Sequence, residues 1–453
     1  MENSTKQTAL GTAPVGKLLL KLAIPTITAQ LISVLYNMVD RVFIGHIPDI
    51  GANALTGVGV CLPIIIIAAS FAALTAAGGA PRASIFMGKG DNKDAEKILG
   101  SCALAVTIMG LAITAIFLLW GRDLLWLFGA SENTIEYAWD YMRIYSFGTV
   151  FVLISLGLNT FITAQGFTVI SMLSVIIGGV ANIIFDPIFI FGFGWGVKGA
   201  ALATILSQAL SAAWVLKFLC GKKTILRIRK SNLKLDRKIY LPCIALGMAP
   251  FVMQSTEGLI TICFNYSLLK YGGDIAVGAM TILTSIMQLS MLPLTGLAQG
   301  AQPIISFNFG AENYERVRKA FFVLFKISIA YGIFVWAISV FMPDMIVSVF
   351  TSDIALREYA APALRIYMAT SLVFGIQVSC QQTFLALGNA KTSLFLAALR
   401  KLILLIPLIF ILPHFMAQQD IAVFTAEPIA DILAVTATGI LFYRYFKKTI
   451  YKN

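Results

Sequence analysis

The chain has 453 residues, 58% of them hydrophobic and 12% charged, with a mean hydropathy of +0.84. A soluble domain carries about 25% charged residues, so half of the usual solvating surface is missing and a soluble globular protein is excluded. The formal net charge of +12 lies in connections between apolar runs, where anionic lipid headgroups account for it, and no nucleic-acid partner is expected.

Twelve apolar stretches follow one another, each long enough to cross a bilayer as a helix of about 20 residues. They lie near 17–45, 51–80, 98–120, 136–163, 167–192, 199–220, 239–269, 274–305, 320–342, 358–387, 392–414 and 420–443. The expected fold class is an all-α polytopic membrane protein. Odd-numbered connections hold four basic residues (Arg122, Lys198, Lys270, Arg357). Even-numbered connections and the termini hold Arg82, Lys89, Lys93, Lys97, the run from Lys217 to Lys238, Arg316, Arg318, Lys319, Arg444, Lys447, Lys448 and Lys452. By the positive-inside rule both termini are expected in the cytoplasm, with the chain in the cell membrane. The polar N-terminus leads into an apolar run too long for a signal peptide, so the first helix is expected to be retained.

The first span carries Asp40 in its outer half, with Tyr36 one turn earlier. Arg41 follows directly and offers a local ion pair, although helical geometry sends it about 100° away. In the fifth span the run "ANIIFDPIFIFG" places Asn182 one turn before Asp186 and Pro187 directly after it. An ionisable side chain near the bilayer centre costs about 2.5–3.5 kcal/mol on insertion scales and is a functional candidate by default. Pro187 cannot donate to the Ile183 carbonyl and bends the helix. A carboxylate, an amide oxygen and a freed carbonyl at one bend suit a proton or a hard cation; the plainer reading is a proline kink with a capping aspartate. Between spans five and six, Gly194-Trp195-Gly196-Val197-Lys198-Gly199 formally matches a dinucleotide-binding G-x-G-x-x-G. That motif needs a strand before it and a helix after it; between two membrane helices it is a tight turn.

Glu257 lies in span seven, and Glu427 and Asp431 lie one turn apart in span twelve. These acids meet a cationic substrate, relay protons, or hydrogen-bond to neighbouring helices. Met253, Gln254, Met287 and Gln288, with Met38, Met291, Gln302, Gln377 and Gln381, either line an adaptable cavity or pack as ordinary helix faces. His46 and His414 are isolated, and the six cysteines show no paired spacing, so no metal site and no disulfide is expected.

The chain also repeats itself. Glu136-Tyr137-Ala138 and Arg143-Ile144-Tyr145 recur 222 residues later as Glu358-Tyr359-Ala360 and Arg365-Ile366-Tyr367, with Asn159 falling on Gln381 and Gly166 on Gly388. Nearer the N-terminus the offset is 225, bringing Pro25 onto Pro250 and Asp49-Ile50 onto Asp274-Ile275. Asp40 and Asp186 fall on Asn265 and Leu408, so the buried acids of the first half have no counterparts in the second. Six spans per half gives copies of one orientation related by an axis along the membrane normal. The expected organisation is an N-terminal six-helix lobe (1–220), a basic cytoplasmic linker (221–238) and a C-terminal six-helix lobe (239–453), with a substrate cleft between lobes. That is a transporter and not an enzyme.

"YNMVDRVFIG" closing span one, "ANIIFDPIFIFGFGWGVKGAALAT" and "GAENYERVRKA" resemble the multidrug and toxic compound extrusion (MATE) family, in the style of its MepA-like bacterial branch. The resemblance covers nearly the whole chain. It implies a multidrug efflux antiporter that exports amphipathic or cationic compounds in exchange for H⁺ or Na⁺, with a lipid-linked saccharide flippase of the same superfamily as the alternative. It implies an ion-coupling site of Asp40, Asn182, Asp186 and Thr204, with Asn159 and Tyr36 nearby. Asp40 and Asp186, if close, would titrate as a pair. A related branch uses acids in spans seven and ten; Glu257 answers the first, while span ten offers Gln377, Gln381 and Gln382 and no acid. The expected partners are membrane lipids and small cationic, amphipathic drugs, the expected state is a monomer, and no cofactor beyond the coupling ion is implied.

Overall fold

The computed structural model describes residues 8–451; residues 1–7 of the polar N-terminus, and Lys452 of the basic C-terminus, lie outside them. Within a bilayer every backbone N–H and C=O must find its partner inside its own segment, which makes the apolar runs helical. The first half comprises α1 (Val15–Gly45), α2 (Gly51–Ala72) running through a π turn at Ala73–Ala77 into α3 (Gly78–Gly88), α4 (Asn92–Leu127), α5 (Ile135–Ala164), α6 (Thr168–Pro187) and α7 (Gly196–Cys220). The second half comprises α8 (Arg237–Gly310), α9 (Tyr314–Phe341), the short α10 (Pro343–Ser348), α11 (Ile354–Tyr367), α12 (Phe374–Ala386), α13 (Ala390–Ala398), α14 (Ile406–Ile411) and α15 (Gln419–Ile450). A π stretch, Leu399–Leu405, joins α13 to α14.

Among the described residues ten helical runs are long and apolar enough to cross a membrane, and eleven if the α11–α12 pair, bent by 41°, counts as one crossing. One of these, α8, crosses twice. Its 74 residues would extend about 110 Å as a straight helix, more than three times a ~30 Å hydrocarbon core. Gly273 breaks it with φ 69° and ψ −164°. A Cβ on Gly247 would meet the carbonyl oxygen of Leu74, and one on Gly310 that of Ile85. Leu74 and Ile85 lie about 16 Å apart along one run, so the two ends of α8 stand side by side. Counted as two helices on either side of Gly273, α8 brings the candidate crossings to twelve, the number the hydropathy pattern predicts.

The repeat read in the sequence is also a repeat of tertiary hydrogen bonds. Asn159 Nδ2 donates to the carbonyl of Ser171 (3.3 Å), and Gln381 Nε2 donates to that of Ser393 (3.0 Å). Ser84 Oγ donates to the carbonyl of Ala164 (2.7 Å), and Ser306 Oγ to that of Ala386 (2.8 Å). Gly166 and Gly388 both take positive φ, 83° and 75°. Asp91 and Asn313 cap α4 and α9 by accepting from the N–H three residues on. Every pair is 222 residues apart.

The connection after α7 is fastened to the first half. Gln165 Oε1 accepts from the N–H groups of Ile225 and Leu226 and from the Thr224 hydroxyl, each at 2.8 Å, while Glu96 takes the Arg227 N–H (3.2 Å) and pairs with Arg229 (2.9 Å). At this linker end the two halves meet backbone to backbone. A Cβ on Gly78 would stand 2.0 Å from the Cys243 carbonyl oxygen, and one on Gly88 1.9 Å from that of Phe307. Only glycine allows that approach. Toward the other end α1 exposes Leu35, Met38 and Val42, and α8 exposes Ile262, Tyr266 and Leu269.

Candidate functional site

Among the described residues, each half holds a group of buried or partly buried acids inside the membrane-spanning region. The first forms where α1 packs on α6. Gly179 makes that packing possible, since a Cβ there would lie 3.1 Å from the Tyr36 ring. One turn beyond Tyr36 stands Asp40, and two turns beyond Gly179 stands Asp186. Their carboxyl groups lie side by side, within hydrogen-bonding reach of one another. Asp186 is fully buried, and its Oδ1 accepts from Asn182 Nδ2 at 3.2 Å. Its Oδ2 is buried with no partner, as is Oδ1 of Asp40. A carboxylate only accepts, so neither can satisfy the other without a proton or a cation between them. After Pro187 the helix widens into the π turn Ile188–Gly192, which puts the loosened backbone directly after the acid. The chain then reverses through Gly194 and Gly196, both at positive φ, as the tight turn expected there.

The structure brings Asp40, Asp186, Asn182 and Tyr36 together, and Thr204 reaches the group through a residue that sequence reasoning missed. Tyr141 of α5 is buried, lies against the Thr204 hydroxyl, is within electrostatic reach of Asp40 and stacks on Tyr145 at a centroid distance of 6.0 Å. Its only sequence signal is the i, i+4 spacing of Tyr137, Tyr141 and Tyr145 along one helix face. Asn159 belongs elsewhere. Its partner Ser171 lies fifteen residues before Asp186 on α6, about 22 Å away along the axis.

Asn159 lines a cavity of about 400 Å³ between the halves, together with Gln30, Gln254, Gln299, Gln302 and Gln382. Gln30 donates to Gln299 and Gln382 to Gln302, each at 3.3 Å. No charged side chain is among the residues that line it. Of the cavity candidates read from the sequence, Gln254 and Gln302 are here. Met253 packs against Leu246 and Leu385, Met287 and Met291 pack on the core of the second half, Gln377 and Gln381 are buried within α12, and Gln288 and Met38 are exposed away from it.

In the second half Glu427 and Asp431, candidates for contact with a cationic substrate, are instead bonded to a neighbouring helix, the third of the readings left open, and their assignment as substrate ligands is corrected. Both are buried against Arg400, whose Nε lies 2.6 Å from Asp431 Oδ1 and whose Nη2 lies 3.3 Å from Glu427 Oε1. Thr370 donates to the remaining Asp431 oxygen at 3.3 Å. Glu257 is paired as well, with Lys401 Nζ at 2.7 Å. Arg400 and Lys401 were legible as bases inside an apolar run, by the same argument that singled out the acids. The π stretch carrying them holds more residues per turn than an α-helix, so two consecutive side chains can both turn inward. Cys102 of α4 and Cys243 of α8, which no spacing connects, also meet within hydrogen-bonding reach across the two halves, beside Arg82.

The MatE family profile matches residues 25–188 and 250–445. The multidrug export protein MepA of Staphylococcus aureus (strain N315) is 26% identical over 402 residues, covering 88% of each chain. That of Staphylococcus haemolyticus (strain JCSC1435) is 25% identical over 422 residues, 92% of each. Among solved structures, a MATE protein in a bent conformation superposes with a TM-score of 0.91 over 98% of both chains, at 22% identity.

Proposed function

The chain belongs to the MatE family of membrane transporters, which are not enzymes, and on that premise we propose that it exports amphipathic, often cationic, drugs by ion-coupled antiport. The observation that carries this reading is the Asp40–Asp186 pair, with two buried acceptor oxygens and no donor between them. One proton or one small cation satisfies both. The drug path runs through the glutamine-lined cavity between an N-terminal lobe (1–220) and a C-terminal lobe (239–453). The linker end is the cytoplasmic end, where glycine-mediated packing closes the path, so the arrangement is one that opens outward.

Entry of the coupling ion at the pair changes how α1 packs on α6. The π turn after Pro187 supplies a place for α6 to give. H⁺ is the favoured ion, because two adjacent carboxyl groups readily share a proton. The flippase alternative is disfavoured by a cavity without Arg or Lys for a pyrophosphate. Drug resistance in a pump-deficient host is the direct test. Expression is expected to raise resistance to cationic amphipaths, and no change in resistance or efflux at verified membrane levels would overturn the reading.

A further inference from the structure

Applying the 222-residue offset places Arg400 and Lys401 over Gly178 and Gly179. The second half thus carries two bases where the first carries two glycines. They face three acids, Glu257, Glu427 and Asp431, a formal count of two bases against three acids. The two bases are used differently. Arg400 serves Asp431 and Glu427 together, whereas Lys401 serves Glu257 alone at 2.7 Å. The Lys401 side chain is 7% exposed and that of Glu257 54%. Glu257 follows Gln254 by three residues on α8 and shares its face, and Gln254 lines the cavity between the halves. Pro250, Gln254 and Glu257 form one stripe of α8, so the exposed carboxylate stands about one turn beyond the residues that line the cavity, with its ammonium held behind it.

We infer that Lys401 sets charge selectivity, as a tethered ammonium that a monovalent amphipathic cation must displace from Glu257. The displaced lysine has somewhere to go. Glu427 shares one base with Asp431, and Lys401 already lies within electrostatic reach of it. A single added positive charge balances the formal count, a dication overshoots, and a neutral amphipath displaces nothing. The exchange rests on the export reading above, and it adds a specificity residue on the side of the molecule away from the Asp40–Asp186 pair.

The test is equilibrium binding to the purified full-length protein of tetraphenylphosphonium (a monocation), DAPI (a dication) and Nile red (neutral). Lys401→Met removes the competitor, so tetraphenylphosphonium should bind about fivefold tighter, the scale of a partly exposed ion pair. DAPI should gain more and Nile red should not change. Glu257→Gln should weaken both cations. The exchanged double variant Glu257→Lys with Lys401→Glu is designed to keep the ion pair in reversed order, and it gives a second reading if Lys401→Met does not fold. It presents an ammonium to the cleft and should reject both cations while still binding Nile red. Unchanged or weaker tetraphenylphosphonium binding in Lys401→Met, or cation binding retained by the exchanged variant, overturns the inference. Failure of the export reading is a separate result, namely no efflux of any of the three probes by the wild-type protein.

Discussion

Asn182 Nδ2 donates to Oδ1 of Asp186 across 3.2 Å, one turn along α6, and leaves Oδ2 of the same carboxyl group buried without a partner. The amide holds one oxygen in place while the other faces Asp40. Replacing Asp186 by Asn keeps the shape and removes the site for an exchangeable proton. Asp186→Asn should reduce drug resistance to the level of the empty host, with the protein present in the membrane at wild-type amounts. Resistance that persists at equal protein level would remove Asp186 from the coupling step.

Arg400 should matter for stability more than for coupling. It is the shared base of two buried acids, and removing one partner of a buried ion pair costs about 3–5 kcal/mol because a charge is left uncompensated. Arg400→Met should melt well below the wild type in detergent, and adding Asp431→Asn should recover part of the loss. A melting temperature unchanged in the single variant would contradict the burial and pairing described for this cluster.

Cys102 and Cys243 report on closure at the linker end. They meet across the two halves where that end is shut, so mild oxidation with copper phenanthroline should cross-link them and stop transport, and dithiothreitol should restore it. Cys102→Ser should be insensitive to the oxidant. Gly88→Val puts side-chain atoms where a Cβ alone would stand 1.9 Å from the Phe307 carbonyl oxygen, so it should lower the cross-linking yield. An undiminished yield in Gly88→Val would mean that the linker end tolerates the side chain without opening.

The fold was legible because twelve long apolar runs leave a chain few alternatives in a bilayer, and the repeat at 222 residues reappears as paired hydrogen bonds at Asn159 and Gln381. The meeting of Asp40 with Asp186 was not derivable from spacing, since it depends on α1 seating against Gly179. Tyr141 escaped notice because an aromatic stripe in a membrane helix looks like ordinary packing until its hydroxyl is seen against Thr204, near Asp40. For Glu427 and Asp431 the sequence left substrate contact, proton relay and bonding to a neighbouring helix open, and the structure selects the last through a partner about 30 residues earlier on another helix. Arg400 and Lys401 lie inside the apolar run 392–414, outside the connections whose charge sets topology, and nothing in their spacing ties them to the acids. Asn159 was grouped with the acids by resemblance, and the hydrogen bond to Ser171 puts it in the cavity instead.

The central claim is that a proton shared by Asp40 and Asp186 drives export, and proteoliposomes test it most directly. Drug movement is followed under an imposed pH gradient in Na⁺-free buffer, for the wild type and for Asp186→Asn. The account predicts drug movement against the proton flux in the wild type, at a rate that rises with the gradient, and none above the lipid background in Asp186→Asn. Drug movement that begins only when a Na⁺ gradient is added would contradict it and make Asn182 and Thr204 ligands of a metal cation.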